Sequence, residues 1–189
     1  MTGLAPTSRA SEADFAVIPC AGADFLINRE EILHSRYEGE HQRAAGRAAP
    51  VRVMEFEGRA IPVINLDGHI EEHFGMVPHR GPGILLFIRG SGDHPPFPLM
   101  RRKSDGTDVE TSRVALRTSA MVSMLSVGID ELKPFPPRLR ESLAAGGLLA
   151  VRFPRDGGRA QYLLDMRSTA ILCIAAYHNR QVADGHPDS

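Results

Sequence analysis

The chain has 189 residues, with 22 Lys+Arg against 23 Asp+Glu, eight His, two Cys and no Trp. That length suits one compact domain or two small lobes, and it allows a fold to bury roughly 70% of its unfolded surface without a disulfide or metal staple. A net charge of −1 leaves no electrostatic footprint for nucleic acid or an anionic membrane, and 42% apolar with 24% charged residues is ordinary for a soluble globule.

Residues 1–13 are small and polar, with no apolar stretch that would make a secretory signal, and are expected to form a disordered tail. Phe15 to Pro19 and Asp24 to Asn28 flank a Cys20-Ala-Gly-Ala turn and read as a hairpin. Glu30 to His34 reads as a single helical turn. Val51 to Phe56 and Ala60 to Leu66 flank Glu57-Gly58 and read as a second hairpin. In its second strand Ile61 and Val63 lie on one face, Ile64 and Leu66 on the other. Pro62 lacks a donor for the ladder, which argues for an edge strand or a bulge.

His69 to Phe74 reads as a short helix ending at Gly75. Ile84 to Ile88 is an apolar run suited to a buried strand. The stretch 89–113, with Pro95-Pro96, Arg101-Arg102-Lys103 and little apolar periodicity, reads as a long loop. Val114 to Val127 is one bent strand or two. Lys133-Pro-Phe-Pro-Pro-Arg138 resembles a polyproline ligand in composition, but it reads first as a rigid linker that pins two elements.

Pro137 to Ala145 reads as a helix stopped by Gly146-Gly147. Leu148 to Phe153 and Ala160 to Met166 flank Asp156-Gly157-Gly158, a strong hairpin signal. Ser168 to His178 reads as a buried terminal helix, apolar nearly all round, with Ser168 as its cap. Residues 179–189 read as a second disordered tail. The longest apolar runs, 170–177 and 84–88, fall far short of the ~20 residues of a membrane helix, so a cytoplasmic protein without membrane insertion is expected.

One internal pattern stands out. Gly58-Arg59-Ala60 recurs as Gly158-Arg159-Ala160, and Val63-Ile-Asn-Leu66 matches Leu163-Leu-Asp-Met166 in character. A strand, a glycine turn, a strand and a helix occur twice, about one hundred residues apart. This predicts an all-β protein with a few short helices, built as two related lobes.

Little in the chain points to catalysis. There is no phosphate-binding glycine loop and no G-x-S-x-G nucleophile elbow. Cys20 and Cys173 fit a reducing compartment, with a single disulfide the alternative. Cys173 lies in an apolar run and reads as a core residue, whereas Cys20, in a Gly/Ala turn, is open to exposure. His69, Glu72 and His73 fit H-x-x-E-H, a spacing that on a helix presents two imidazoles to one metal, so a metal-dependent hydrolase is a competing reading.

Gly58-Arg-Ala-Ile-Pro-Val-Ile-Asn-Leu66, followed by His73-Phe-Gly75, resembles the CheW-like family of chemotaxis coupling proteins. Its hallmark there is G-x-I-N-L-R-G-x-x-I-P-V-x-D-L and then a short helix. Val114 to Met121 resembles the family's V-G-L-x-V-D-x-V, and Leu148 to Met166 its closing hairpin, so the likeness runs over about residues 14–178.

The resemblance implies two SH3-like β barrels sharing an apolar core, without catalytic activity or cofactor. It also implies an adaptor that bridges a chemoreceptor's cytoplasmic tip and the regulatory domain of a histidine kinase, or a scaffold of the same fold in another signalling pathway. Its implied partner contacts fall on Glu57, Gly58, Arg59, Val63 and Asn65. Three positions depart from the family: Glu57 stands where an arginine is usual, and Asn65 and Ser119 where aspartates are. A charge reversal on a docking rim changes partner choice more than folding.

Overall fold

A computed structural model of the chain describes residues 11–38, 51–79, 81, 83–89, 113–120 and 122–183. The stretch read as a loop at 90–112, including the Arg101-Arg102-Lys103 run, lies outside them. The strands are β1 (Glu12–Pro19), β2 (Ala23–Asn28), β3 (Ile32–Tyr37), β4 (Val51–Phe56), β5 (Arg59–Asn65), β6 (Ile84–Arg89), β7 (Arg113–Thr118), β8 (Ser123–Gly128), β9 (Lys133–Pro134), β10 (Leu148–Arg152) and β11 (Ala160–Leu164). The helices are α1 (Leu66–Phe74), α2 (Pro137–Ala144) and α3 (Met166–Ala183), with 3-10 turns at Arg29–Glu31 and Ile129–Glu131.

These strands form two sheets, one ordered β3-β6-β7-β5-β4 and the other β8-β1-β2-β11-β10-β9. The first five members correspond one to one. β3 on β6, β6 on β7 and β5 on β4 are antiparallel and β7 on β5 is parallel. β8 on β1, β1 on β2 and β11 on β10 are likewise antiparallel, and β2 on β11 is parallel. The repeat seen around Gly58 and Gly158 thus extends to whole lobes, and each repeated hairpin leads into a helix, α1 or α3.

The lobes are also interlocked. β2 lies in one sheet and β3, which follows it, in the other; β7 and β8 exchange sheets the opposite way. The apolar stretch 114–127 is therefore two strands, because the chain must change sheets at Ser119-Ala120.

Strand periodicity places the core. Ala16, Ile18, Phe25 and Ile27 of one sheet and Ile84, Leu86, Ile88, Val114 and Leu116 of the other point into one shared core. Leu66 and Ile70 of α1 and Met166, Ala170 and Ile174 of α3 fill it further. The alternate residues bury on the far sides, with Ile61, Val63, Leu85, Phe87 and Ala115 in one cluster and Phe15, Val17, Leu26 and Val127 in another. The continuous apolar run 84–88 follows, since both faces of β6 are covered.

Several expectations need correction. His34 belongs to β3, because the helical turn before it closes at Glu31. β5 is an interior strand despite Pro62; its ladder with β7 begins one residue later, at Val63, so the missing donor falls outside it. α3 is capped by Asp165, whose Oδ1 accepts from the Ser168 N–H at 2.9 Å, and it runs to Ala183. It buries a stripe at Met166, Thr169, Ala170, Cys173 and Ile174 rather than its whole circumference. Cys20 is buried, its thiol pushed up to about 12 chiefly by desolvation. Both cysteines are free thiols. The segment 133–138 acts as a linker, since Phe135 is buried and stacks toward Tyr162.

Candidate docking surface at the β4–β5 turn

The register pairs Phe56 with Arg59 and leaves Glu57-Gly58 as a two-residue loop. Both residues are left-handed, with φ of 52° and 73°. That is the geometry of a type I′ turn, whose twist matches the strands it joins. Gly58 adopts it freely, whereas Glu57 does so against its Cβ.

Two contacts hold the turn. The Phe56 ring lies 4.4 Å from that of Phe87 and 5.6 Å from that of His34. The Glu57 carboxylate accepts from Arg113 Nη1 at 3.1 Å, tying the turn to the start of β7. The family's arginine at this point is thus replaced by an acid that finds its arginine within the same chain. Both partners remain exposed, so water screens the pair and it steers more than it stabilises.

The five residues implied as contacts do not form one surface. Glu57 and Gly58 make the exposed tip and Arg59 opens β5 beside them. Val63 is 1% exposed within the cluster of Ile61, Leu85, Phe87 and Ala115, so its role is packing rather than contact. Asn65 is half-buried and caps α1, its Oδ1 accepting from the Gly68 N–H at 3.3 Å. Asp165 makes the matching contact at the start of α3.

The sequence reading overlooked a polar network at the end of β5 opposite the turn, where Arg52 pairs with Val63 and Arg117 with Asn65. Glu38 is buried, and its carboxylate accepts from Arg52 and, at 2.8 Å, from Arg117 Nε. Asp67 then takes the Thr118 hydroxyl at 2.7 Å, and the Ser119 N–H and hydroxyl at 2.7 and 2.6 Å, which fixes the second crossover. Ser119, a departure from the family pattern, is what Asp67 grips. The available signal was Arg117 within an apolar strand, because a buried guanidinium requires a carboxylate.

The geometry works against the metal reading. His69 is buried, its Nε2 lies 3.0 Å from the Gly146 carbonyl and its Nδ1 3.4 Å from Cys173 Sγ. Nε2–H donates to the carbonyl and Nδ1 accepts from the thiol, so ligating a metal would break one of these contacts. Burial lowers the imidazole pKa and pushes the Cys173 thiol up to about 12, so both groups are neutral. No group of three metal-binding side chains occurs among the described residues. Elsewhere Glu131, Arg152, Arg155 and Arg159 line an open polar cleft of about 660 Å³.

No family model and no curated protein sequence matches the chain. Among solved structures it is similar to the scaffolding protein TtCheW from Thermoanaerobacter tengcongensis. The TM-score is 0.51 at 10% identity, over 87% of this chain and 92% of that one. The likeness covers both lobes and establishes a CheW-like fold. No helix among the described residues is long and apolar enough to cross a membrane.

Proposed function

We propose that this chain is a non-enzymatic, cytoplasmic adaptor of a chemotaxis-type array, joining chemoreceptor cytoplasmic tips to the regulatory domain of a histidine kinase. The observation that carries this reading is the two-lobed fold shared with a scaffolding protein along nearly the whole of both chains. The held β4–β5 turn supports it, since a rigid exposed tip loses little conformational freedom on docking. Glu57, Gly58 and Arg59 supply the contact; farther along β5, Val63 packs the sheet and Asn65 caps α1.

Isothermal titration of the full chain with a histidine kinase regulatory domain tests the proposal. Micromolar binding is expected, weakened about tenfold or more by Glu57→Arg, with the thermal midpoint of the variant changed by only a few degrees. Absence of binding to any such domain or receptor tip would contradict it. Binding to a regulatory domain from a non-chemotaxis system alone would place the same scaffold in a different pathway.

A further inference from the structure

The two lobes finish the outer sides of their sheets differently. Ile61 and Gln161 each stand third after the repeated glycine, Gly58 or Gly158. Each pairs with a residue of the preceding strand, Met54 in one lobe and Arg152 in the other. In the first lobe that pair joins Val63, Leu85 and Phe87 in an apolar cluster. In the second lobe the same register is polar. Arg152 donates to Gln161 Oε1 at 2.7 Å and to Glu131 Oε2 at 2.8 Å, and all three line an open cleft of about 660 Å³.

Burying a guanidinium and an amide where the sister lobe uses Met and Ile costs stability rather than adding it. Gln161 is 8% exposed, and Arg152 holds its side-chain oxygen. Its side-chain NH2 has no partner among the described residues and is left to the cleft. The rim is acidic. Beside the Arg152–Glu131 pair it carries four carboxylates, Glu12, Asp24, Asp130 and Asp156, against Arg155 and Arg159, an excess of two negative charges. Arg159 already gives one N–H to the Cys20 carbonyl at 3.0 Å, and Asp156 takes the Gly158 N–H at 3.1 Å. The side chains of Glu12, Asp24 and Asp130 take no hydrogen bond from a described residue. Leu125 and Gly128 in the wall belong to β8, which ends the six-stranded sheet and so has one edge without a neighbouring strand among the described residues.

We propose that this cleft is a second docking site, which takes an extended segment of a partner protein bearing an arginine or lysine. The segment's backbone lies along the free edge of β8, its cation enters among Glu12, Asp24 and Asp130, and one of its carbonyls accepts from the Gln161 amide. Strand addition at a sheet edge supplies affinity, and a pocket for a side chain of the added strand supplies selectivity. The residues of the site all come from the six-stranded sheet and its turns, so the inference does not depend on what the β4–β5 turn binds.

The test is an NMR titration of the full chain with a capped peptide of alternating valine and threonine around one central arginine, beside the same peptide carrying glutamate in its place. Saturable shifts are expected at Asp24, Ser126, Gly128 and Gln161 with the arginine peptide, weakening as salt is added. The glutamate peptide should bind about tenfold more weakly or worse. Asp24→Asn combined with Asp130→Asn should weaken the arginine peptide about tenfold while the rest of the spectrum superposes on the wild type. Equal binding of the two peptides, tighter binding of the glutamate peptide, shifts confined to the β4–β5 turn, or no binding at millimolar peptide would overturn the proposal. Should the double variant not fold, the comparison of the two peptides on the wild type decides it.

Discussion

His69, buried, and Glu31, half-buried, are titratable groups with opposite consequences. The folded state holds His69 neutral, with a pKa below the usual 6.5. Its contribution is therefore complete above that pH and is lost as pH falls, because the unfolded chain takes up a proton that the folded one refuses. Glu31 is raised, so its contribution is complete below about 4.5 and is lost as pH rises through about 7. Denaturation midpoints measured against pH should flatten on the acid side in His69→Gln and on the neutral side in Glu31→Gln. The Glu38 network offers a second test. Glu38→Ala strands Arg117 in the interior and should cost roughly 3–5 kcal/mol in urea unfolding. Replacing Glu38, Arg52 and Arg117 together by Met should cost less than Glu38→Ala alone. Glu57 is strained by its left-handed backbone, so Glu57→Asn should stabilise the hairpin by ~1 kcal/mol and raise the thermal midpoint.

At the level of elements, Gly146-Gly147 threads between α1 and α3. A Cβ at Gly146 would lie 2.8 Å from the Phe74 ring, so Gly146→Ala should destabilise by about 1–3 kcal/mol without changing the β4–β5 turn, measurable by thermal unfolding. The hairpins were legible in the sequence because glycine turns and two-residue periodicity are local signals. Ile61 and Val63 against Ile64 and Leu66 divide between two clusters as that alternation predicts. Pro62 misled because where it meets a neighbouring strand depends on the long-range register with β7, which local pattern does not contain. The start of α3 was misplaced by two residues because Ser168 and Asp165 are both good caps, and only the Ser168 N–H reaching back to Asp165 chooses between them. Glu38, Arg117 and Asp67 meet from three separate elements, so their network was out of reach.

The whole molecule is held together by the insertion of one lobe into the other: the five-stranded sheet is the continuous segment β3 to β7, set between β2 and β8 of the six-stranded sheet, and one core lies beneath both. Unfolding should therefore be a single cooperative transition, with amides in β6 and in β2 losing protection at the same urea concentration. Such a body leaves its outer turns as the surface open to partners, which is why the docking reading rests on Glu57, Gly58 and Arg59 rather than on an enclosed pocket. The most direct test is an NMR chemical-shift map of the full chain titrated with a histidine kinase regulatory domain. The account predicts saturable shifts centred on Glu57, Gly58 and Arg59, weakened in Glu57→Arg. Shifts confined to other faces, or none at all at high micromolar partner, would contradict it.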